Sequence, residues 1–267
     1  MRIIIKNADF SVYGLVDISG LMSTIVSNYG GLTDANKAPV EAFLRSLGAD
    51  GSNGIWPKIK HLYMPCLAVS TDADSNSLYD IITEGTYPKS YPSTTVVIED
   101  KKGVEPASMA GGTEGIGYSS LTDGLTDSSM SLFASFTLAL GHPLQSSSGA
   151  QVQLGEIVFK WEASVMSCAV IGGSTASIPK ATGFDTPNWI VMSAKDNGSR
   201  VIVCDDDELT TSVLTSTNNT TYFNLAKGYC CTSICGVCDG LTAAEARIVS
   251  SAIRTFTTDF GILNNAQ

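Results

Sequence analysis

The sequence predicts a mainly β protein: antiparallel sheets packed as a sandwich, flanked by an N-terminal helical hairpin and a C-terminal helix. Three observations carry this. Short β-branched and aromatic runs recur between about residues 70 and 238, separated by Gly-, Ser-, Asn- and Pro-rich turns and without helical interludes. Two helical patterns precede that region, and one helix with clear start and stop signals follows it. The organisation expected is an extended arm over 1–20, the helical hairpin over 21–70, and the sandwich with its closing helix over 71–267.

The first helix rests on Val40, Phe43, Leu44 and Leu47, which fall at i, i+3, i+4 and i+7 on one face. Thr33 or Asp34 can cap it and Gly48 can end it, while Pro39 belongs in a first turn and places the regular start close to itself. After the turn Asp50-Gly51-Ser52-Asn53-Gly54, residues Ile55, Ile59 and Leu62 again share a helical face, with Pro57 near the start. Strands are expected in Ser93 to Asp100, Ser131 to Leu140, Gly155 to Trp161, Val165 to Ile171, Trp189 to Ala194 and Arg200 to Cys204. The closing helix opens on Thr242-Ala243-Ala244-Glu245, a capping box in which each side chain satisfies an orphan backbone N–H. Val249, Ile253, Phe256 and Phe260 follow at helical spacing, and Gly261 offers the stop.

Composition excludes several classes of function. A net charge of −10 with 16% charged residues leaves no Lys/Arg cluster for phosphate contacts, so a nucleic-acid partner is not expected. No run reaches the ~18 apolar residues of a membrane span. Lys6, Asn7 and Asp9 break the run Ile3-Ile4-Ile5 before a signal-peptide core could form, so Met1 reads as a true start and the run as a strand. The Asn-x-Ser/Thr patterns at Asn197, Asn218 and Asn219 read as turn chemistry.

Seven cysteines, an odd number, argue against a disulfide framework. Four of them crowd into Cys230-Cys231-Thr232-Ser233-Ile234-Cys235-Gly236-Val237-Cys238. The Cys231-x₃-Cys235-x₂-Cys238 spacing matches the cluster-binding triplet of radical S-adenosylmethionine enzymes, but fewer than 30 residues follow it, too few to build their barrel. Cys235-x₂-Cys238 is half of a zinc site, or a redox pair. The reading preferred is a buried strand in which cysteine serves as a small apolar residue.

Three segments look familiar. They are Gly54-Ile55-Trp56-Pro57-Lys58-Ile59-Lys60-His61-Leu62-Tyr63 with the helix before it, Trp189 to Ser193 leading to Arg200 to Asp207, and Cys238-Asp239-Gly240-Leu241-Thr242-Ala243-Ala244-Glu245-Ala246. Together they resemble bacteriophage and prophage virion proteins with a laminin-G-like, concanavalin A-like (jelly-roll) lectin sandwich. The resemblance implies a structural component of a phage virion, made in the bacterial cytoplasm and housed in an appendage, fibre, capsid or tail. It implies other virion proteins as partners, self-association around a symmetry axis as in a trimer, and contact with host surface glycans. The acidic hairpin Asp205-Asp206-Asp207 departs from the family's neutral turn.

That hairpin raises the question of calcium, which many concanavalin A-like lectins bind. Asp205, Asp206, Asp207 and Glu208 could supply some of the six to eight oxygens required, but no EF-hand spacing is present, and a solvated tip is the competing reading. No other cofactor is expected. Retaining glycosidase chemistry by Glu156 and Glu162 is excluded, because six residues of strand put them ~20 Å apart against the ~5 Å needed. His61, placed in the second helix, and His142 have no Gly-x-Ser-x-Gly elbow to serve, and Gly115-Ile116-Gly117-Tyr118-Ser119 is not a phosphate loop. The protein is therefore expected to be no enzyme. Tyr79, Tyr87, Tyr91 and Tyr118 lie in turn-rich stretches where rings could meet a sugar face or a protein, and Tyr87, Tyr91 and Tyr118 are the candidate ligand contacts. Trp56, Trp161 and Trp189 are expected in the core. Ile3, Ile4, Ile5 and Phe10 form an apolar arm that a self-contained sandwich does not need, and could add to a neighbour's sheet edge. The expected role is thus structural, with a glycan- or receptor-binding module as the alternative and a glycan-degrading enzyme third.

Overall fold

The computed structural model describes residues 16–69, 78–86, 96–99, 102–106, 115–118, 129–138, 150–154, 157–162, 165–170, 176–179, 188–193, 199–212, 223–228 and 230–262. Two helices come first, α1 (Ile18–Asn28) and α2 (Asp34–Ser46). Strands β1 (Ile59–Tyr63), β2 (Tyr79–Asp80), β3 (Gly85–Thr86), β4 (Val96–Glu99), β5 (Gly103–Pro106), β6 (Gly115–Tyr118), β7 (Met130–Leu138) and β8 (Ala150–Leu154) follow. Then come β9 (Ile157–Glu162), β10 (Val165–Val170), β11 (Ala176–Pro179), β12 (Asn188–Met192), β13 (Ser199–Cys204), β14 (Asp207–Ser212), β15 (Phe223–Lys227) and β16 (Cys230–Asp239). Helix α3 (Ala243–Phe260) closes the described chain.

Every described pairing is antiparallel. One sheet runs β14-β13-β12-β7-β16-β1-β2-β3, with β5 also on β16 and β4 on β5; the other runs β11-β10-β9-β8-β15-β6. Strands β7 and β16 face β8 and β15, so the sheets form a sandwich. Across the gap Tyr63 meets the Phe223 ring at 5.9 Å, and the Thr232 hydroxyl donates to Leu225 O at 2.7 Å. The architecture expected from the sequence is the one observed: antiparallel sheets packed as a sandwich, with helices before the strands and a closing helix after them.

Strand β16 explains the cysteines. Nine of its ten residues are buried, as the interior position of the strand between β7 and β1 requires. Cys66, Cys204, Cys230, Cys231, Cys235 and Cys238 are buried thiols, not disulfides. Burial pushes the Cys66, Cys235 and Cys238 thiols up, away from the reactive thiolate. Gly236 is required here: a Cβ at that position would fall inside the Phe133 ring on β7.

One helix expected from the sequence is a strand. Residues Trp56–Lys58 make a single 3₁₀ turn with Pro57 at its start, and Ile59–Tyr63 is β1. Apolar spacing at 55, 59 and 62 fits a helix, but Ile59, His61, Leu62 and Tyr63 are all buried, which one face of a helix cannot achieve. Pairing with β16, from Ile59↔Cys238 to Tyr63↔Cys235, settles the conformation. The helical partner of α2 is instead α1, which starts at Ile18 where Asp17 Oδ1 accepts from Ser19 N at 3.1 Å. Helix α2 starts at Asp34, five residues before Pro39, so it forgoes the bond that a non-proline there would donate. Gly48, at φ +82°, ends the turn after α2, and Asn53 occupies the space a side chain there would need.

Helix α3 follows its sequence signature. Glu245 N donates to Thr242 Oγ1 at 3.2 Å, Thr242 N donates to Glu245 Oε2 at 2.7 Å, and Gly261 closes the helix at φ +70°. Its apolar stripe packs on β12, β13 and α2, with Phe256 between Phe43 and Phe260 at 5.0 Å from each ring.

Candidate functional site

Two clusters of polar side chains stand at opposite ends of the larger sheet. The first surrounds Asp80 on β2, which is 2% exposed. Its Oδ1 accepts from Leu62 N at 3.1 Å and Ile82 N at 3.0 Å. Its Oδ2 accepts from the Thr83 hydroxyl at 2.8 Å and the Tyr63 hydroxyl at 3.4 Å. His61 Nδ1 lies 2.6 Å from Oδ2 and, against a carboxylate already serving as acceptor to the others, donates to it. His61 and Tyr63 alternate on β1, and their rings lie 7° from parallel at 6.2 Å.

Asp80 therefore fixes the imidazole and ties β1 to the β2–β3 hairpin. Sequence reasoning placed His61 on a helix; it is a strand residue whose partner lies 19 positions on. Asp80 was missed altogether, and so was the burial of its neighbour Tyr79. Far from an exposed loop ring, Tyr79 is 5% exposed, and its carbonyl accepts from the buried Tyr29 hydroxyl at 2.7 Å.

The second cluster is the acidic hairpin between β13 and β14. Asp205 sits at φ +51°, a conformation aspartate tolerates better than most residues. Its Oδ1 accepts from Trp189 N at 3.1 Å, and its carbonyl accepts from the Ser250 hydroxyl of α3 at 3.3 Å. The Ser250 oxygen in turn accepts from Trp189 Nε1 at 3.0 Å. Asp206 pairs with Arg254, and Glu208 takes a two-pronged contact from Arg247, both bonds 2.7 Å. The Arg247 guanidinium holds the Glu208 carboxyl below the usual glutamate range.

These contacts bear on the calcium reading of Asp205, Asp206 and Asp207. Among the described residues no three His, Cys, Asp or Glu side chains stand together as metal ligands. The Asp205 and Asp206 carboxylates face a backbone amide and a guanidinium instead.

A third contact joins two sequence segments noted above. Lys58 Nζ donates to both Glu245 oxygens, at 2.8 and 2.7 Å, and to Gly240 O at 3.0 Å. Burial pushes the Glu245 carboxyl up, but Lys58 and Thr242 together outweigh it and leave the group lowered. Of the tyrosines singled out as ligand contacts, Tyr87 and Tyr91 lie outside the described residues. Tyr118 ends β6 opposite Phe223, in a strand and not a loop. Ile3, Ile4, Ile5, Phe10, His142 and Glu156 also lie outside. Trp56 and Trp189 pack against the core while remaining partly exposed.

No protein-family profile matches the chain, and no curated protein matches it in sequence. Solved structures do match at low identity. The alginate lyase AlgAT5 of polysaccharide lyase family 7 aligns at 12% identity and a TM-score of 0.31, over 42% of this chain and 60% of that one. The CBM40 of the Ruminococcus gnavus IT-sialidase, solved with α2,3-sialyllactose, aligns at 12% and 0.37, over 52% and 94%. Sheep galectin-11 aligns at 11% and 0.31, over 46% and 97%. At these values the likeness identifies no ligand and no functional residue of this chain.

Proposed function

We propose that the protein is a non-enzymatic structural component of a phage virion. An N-terminal arm bearing Ile3, Ile4, Ile5 and Phe10 anchors it, and Tyr87, Tyr91 and Tyr118 meet a host surface glycan. The observation that supports this is the convergence of the three virion-like sequence segments on α3. Lys58 of the first bonds Glu245 of the third, and Trp189 and Asp205 of the second bond each other and Ser250. The recognisable residues are thus fasteners that seat a helix on a sheet, so the resemblance is one of scaffold. Among the described residues two groups suited to acid–base chemistry also have a fastening partner: His61 Nδ1 pairs with Asp80, and Glu208 with Arg247. Self-association about a symmetry axis belongs to the same reading.

Quantitative mass spectrometry of purified particles tests it. Wild-type chain is expected in stoichiometric amount, and Ile4→Asp chain, folded by circular dichroism, is expected to be absent. Particles lacking the wild-type protein overturn the reading. Glycan-array binding abolished by Tyr87→Ala supports the displayed-ligand part, and product release from capsule polysaccharide refutes the non-enzymatic part.

A further inference from the structure

Strand β14 is held to helix α3 by an ion pair. Among the described residues it is an edge strand, paired with β13 from Cys204↔Asp207 to Ser199↔Ser212. Asp207, Glu208 and Thr210 are exposed, and Leu209 alone of its described side chains packs against the core. The body of α3 rests on β12 and β13, and Ser250 donates to Asp205 O at the hairpin tip; two long side chains reach further, Arg254 to Asp206 and Arg247 to Glu208 on β14. The arginines stand two helical turns apart, so the hairpin is gripped at two points along one face.

Behind the grip lies the seam where the sheets meet. Here β14 approaches β11, and Ser177, Ile178, Asp207, Glu208 and Leu209 line a cleft of about 320 Å³. Ile178 is 4% exposed while the strand is in place. We propose that the two arginine–carboxylate pairs form an ionic latch that keeps this edge of the sandwich shut, and that rising ionic strength releases it. Both pairs are largely open to solvent, with side-chain exposures of 52% and 37% for Arg247–Glu208 and 49% and 80% for Arg254–Asp206. Salt screens such pairs, whereas it does not weaken the apolar contacts under β12 and β13. Release frees β14 without unfolding the sheet, parts the seam and uncovers Ile178 and Leu209.

Amide hydrogen exchange on the full chain tests this. Raising NaCl from about 20 mM to about 500 mM is expected to speed exchange of the β14 amides about three- to tenfold, while β16 amides keep their rate. The Arg247→Gln/Arg254→Gln variant is expected to exchange β14 rapidly at low salt and to lose the salt response. The reversed pair Arg247→Glu/Glu208→Arg is expected to restore part of the low-salt protection. Wild-type β14 exchange that ignores salt overturns the latch without needing any variant, as does a double glutamine variant that keeps the response.

Discussion

The two ends of the larger sheet are fastened by the same chemistry under opposite conditions. At the β1–β2 end a carboxylate takes its partners in the dry interior, with His61 and Asp80 side chains 6% and 3% exposed. At the β13–β14 end carboxylates take theirs in water, where Asp206 is 80% exposed. Lys58–Glu245, at 30% and 18%, lies between. The difference leads us to expect that a carboxylate contact's share in stability follows burial more than distance. All three contacts are short, but water competes for the exposed partners and cannot reach the buried ones. A buried pair is costly to break because the survivor is left uncompensated; an exposed survivor is simply rehydrated.

The largest effect is expected at Asp80. Asp80→Asn turns an amide toward His61 Nδ1–H or toward two backbone donors, and should cost about 3 kcal/mol in urea unfolding. A cost below about 1 kcal/mol would erase the contrast between the two ends.

Lys58→Met should give an intermediate loss, about 1–2 kcal/mol at pH 7. Its pH dependence has a definite sign. The folded Glu245 pKa is lowered, so the pair's contribution is present above the unfolded value of about 4.3 and fades as pH falls through the folded one. The deficit of the variant should therefore shrink between pH 5 and pH 3, and a deficit that grows in acid would contradict the assignment. The smallest effect on global unfolding, under about 1 kcal/mol, is expected from Arg247→Gln with Arg254→Gln, and it should vanish in high salt. A large, salt-independent loss there would mean the arginine stems pack more than they pair.

Local signals made part of this legible in the sequence. The capping box at Thr242 and Glu245 and the stop at Gly261 act within a few residues of one another, and α3 formed where they placed it. The strands β7, β12 and β13 and the buried cysteine strand were legible for the same reason, since composition alone marks a segment covered on both faces. Strand β1 was not, because the spacing of Ile55, Ile59 and Leu62 satisfies two periods and only the distant β16 decides between them. Asp80 was invisible: the chain shows Tyr79-Asp80 with nothing notable beside it, and its donors include residues 17 to 19 positions upstream. The acidic run was noticed but its partners were not, since they lie 39 and 48 positions away on a helix.

The place of α3 in chain order bears on how the molecule is made. Val191, Val201 and Val203 share the face of β12 and β13 that carries Trp189 toward Ser250, and in the finished protein each is at most 6% exposed. On the ribosome the strands emerge first and the helix that shields them emerges after, so a greasy surface stands bare during synthesis until roughly the last twenty described residues arrive. A ribosome stalled before Thr242 would hold a nascent sheet with an adhesive side, and chaperone engagement should peak in that interval.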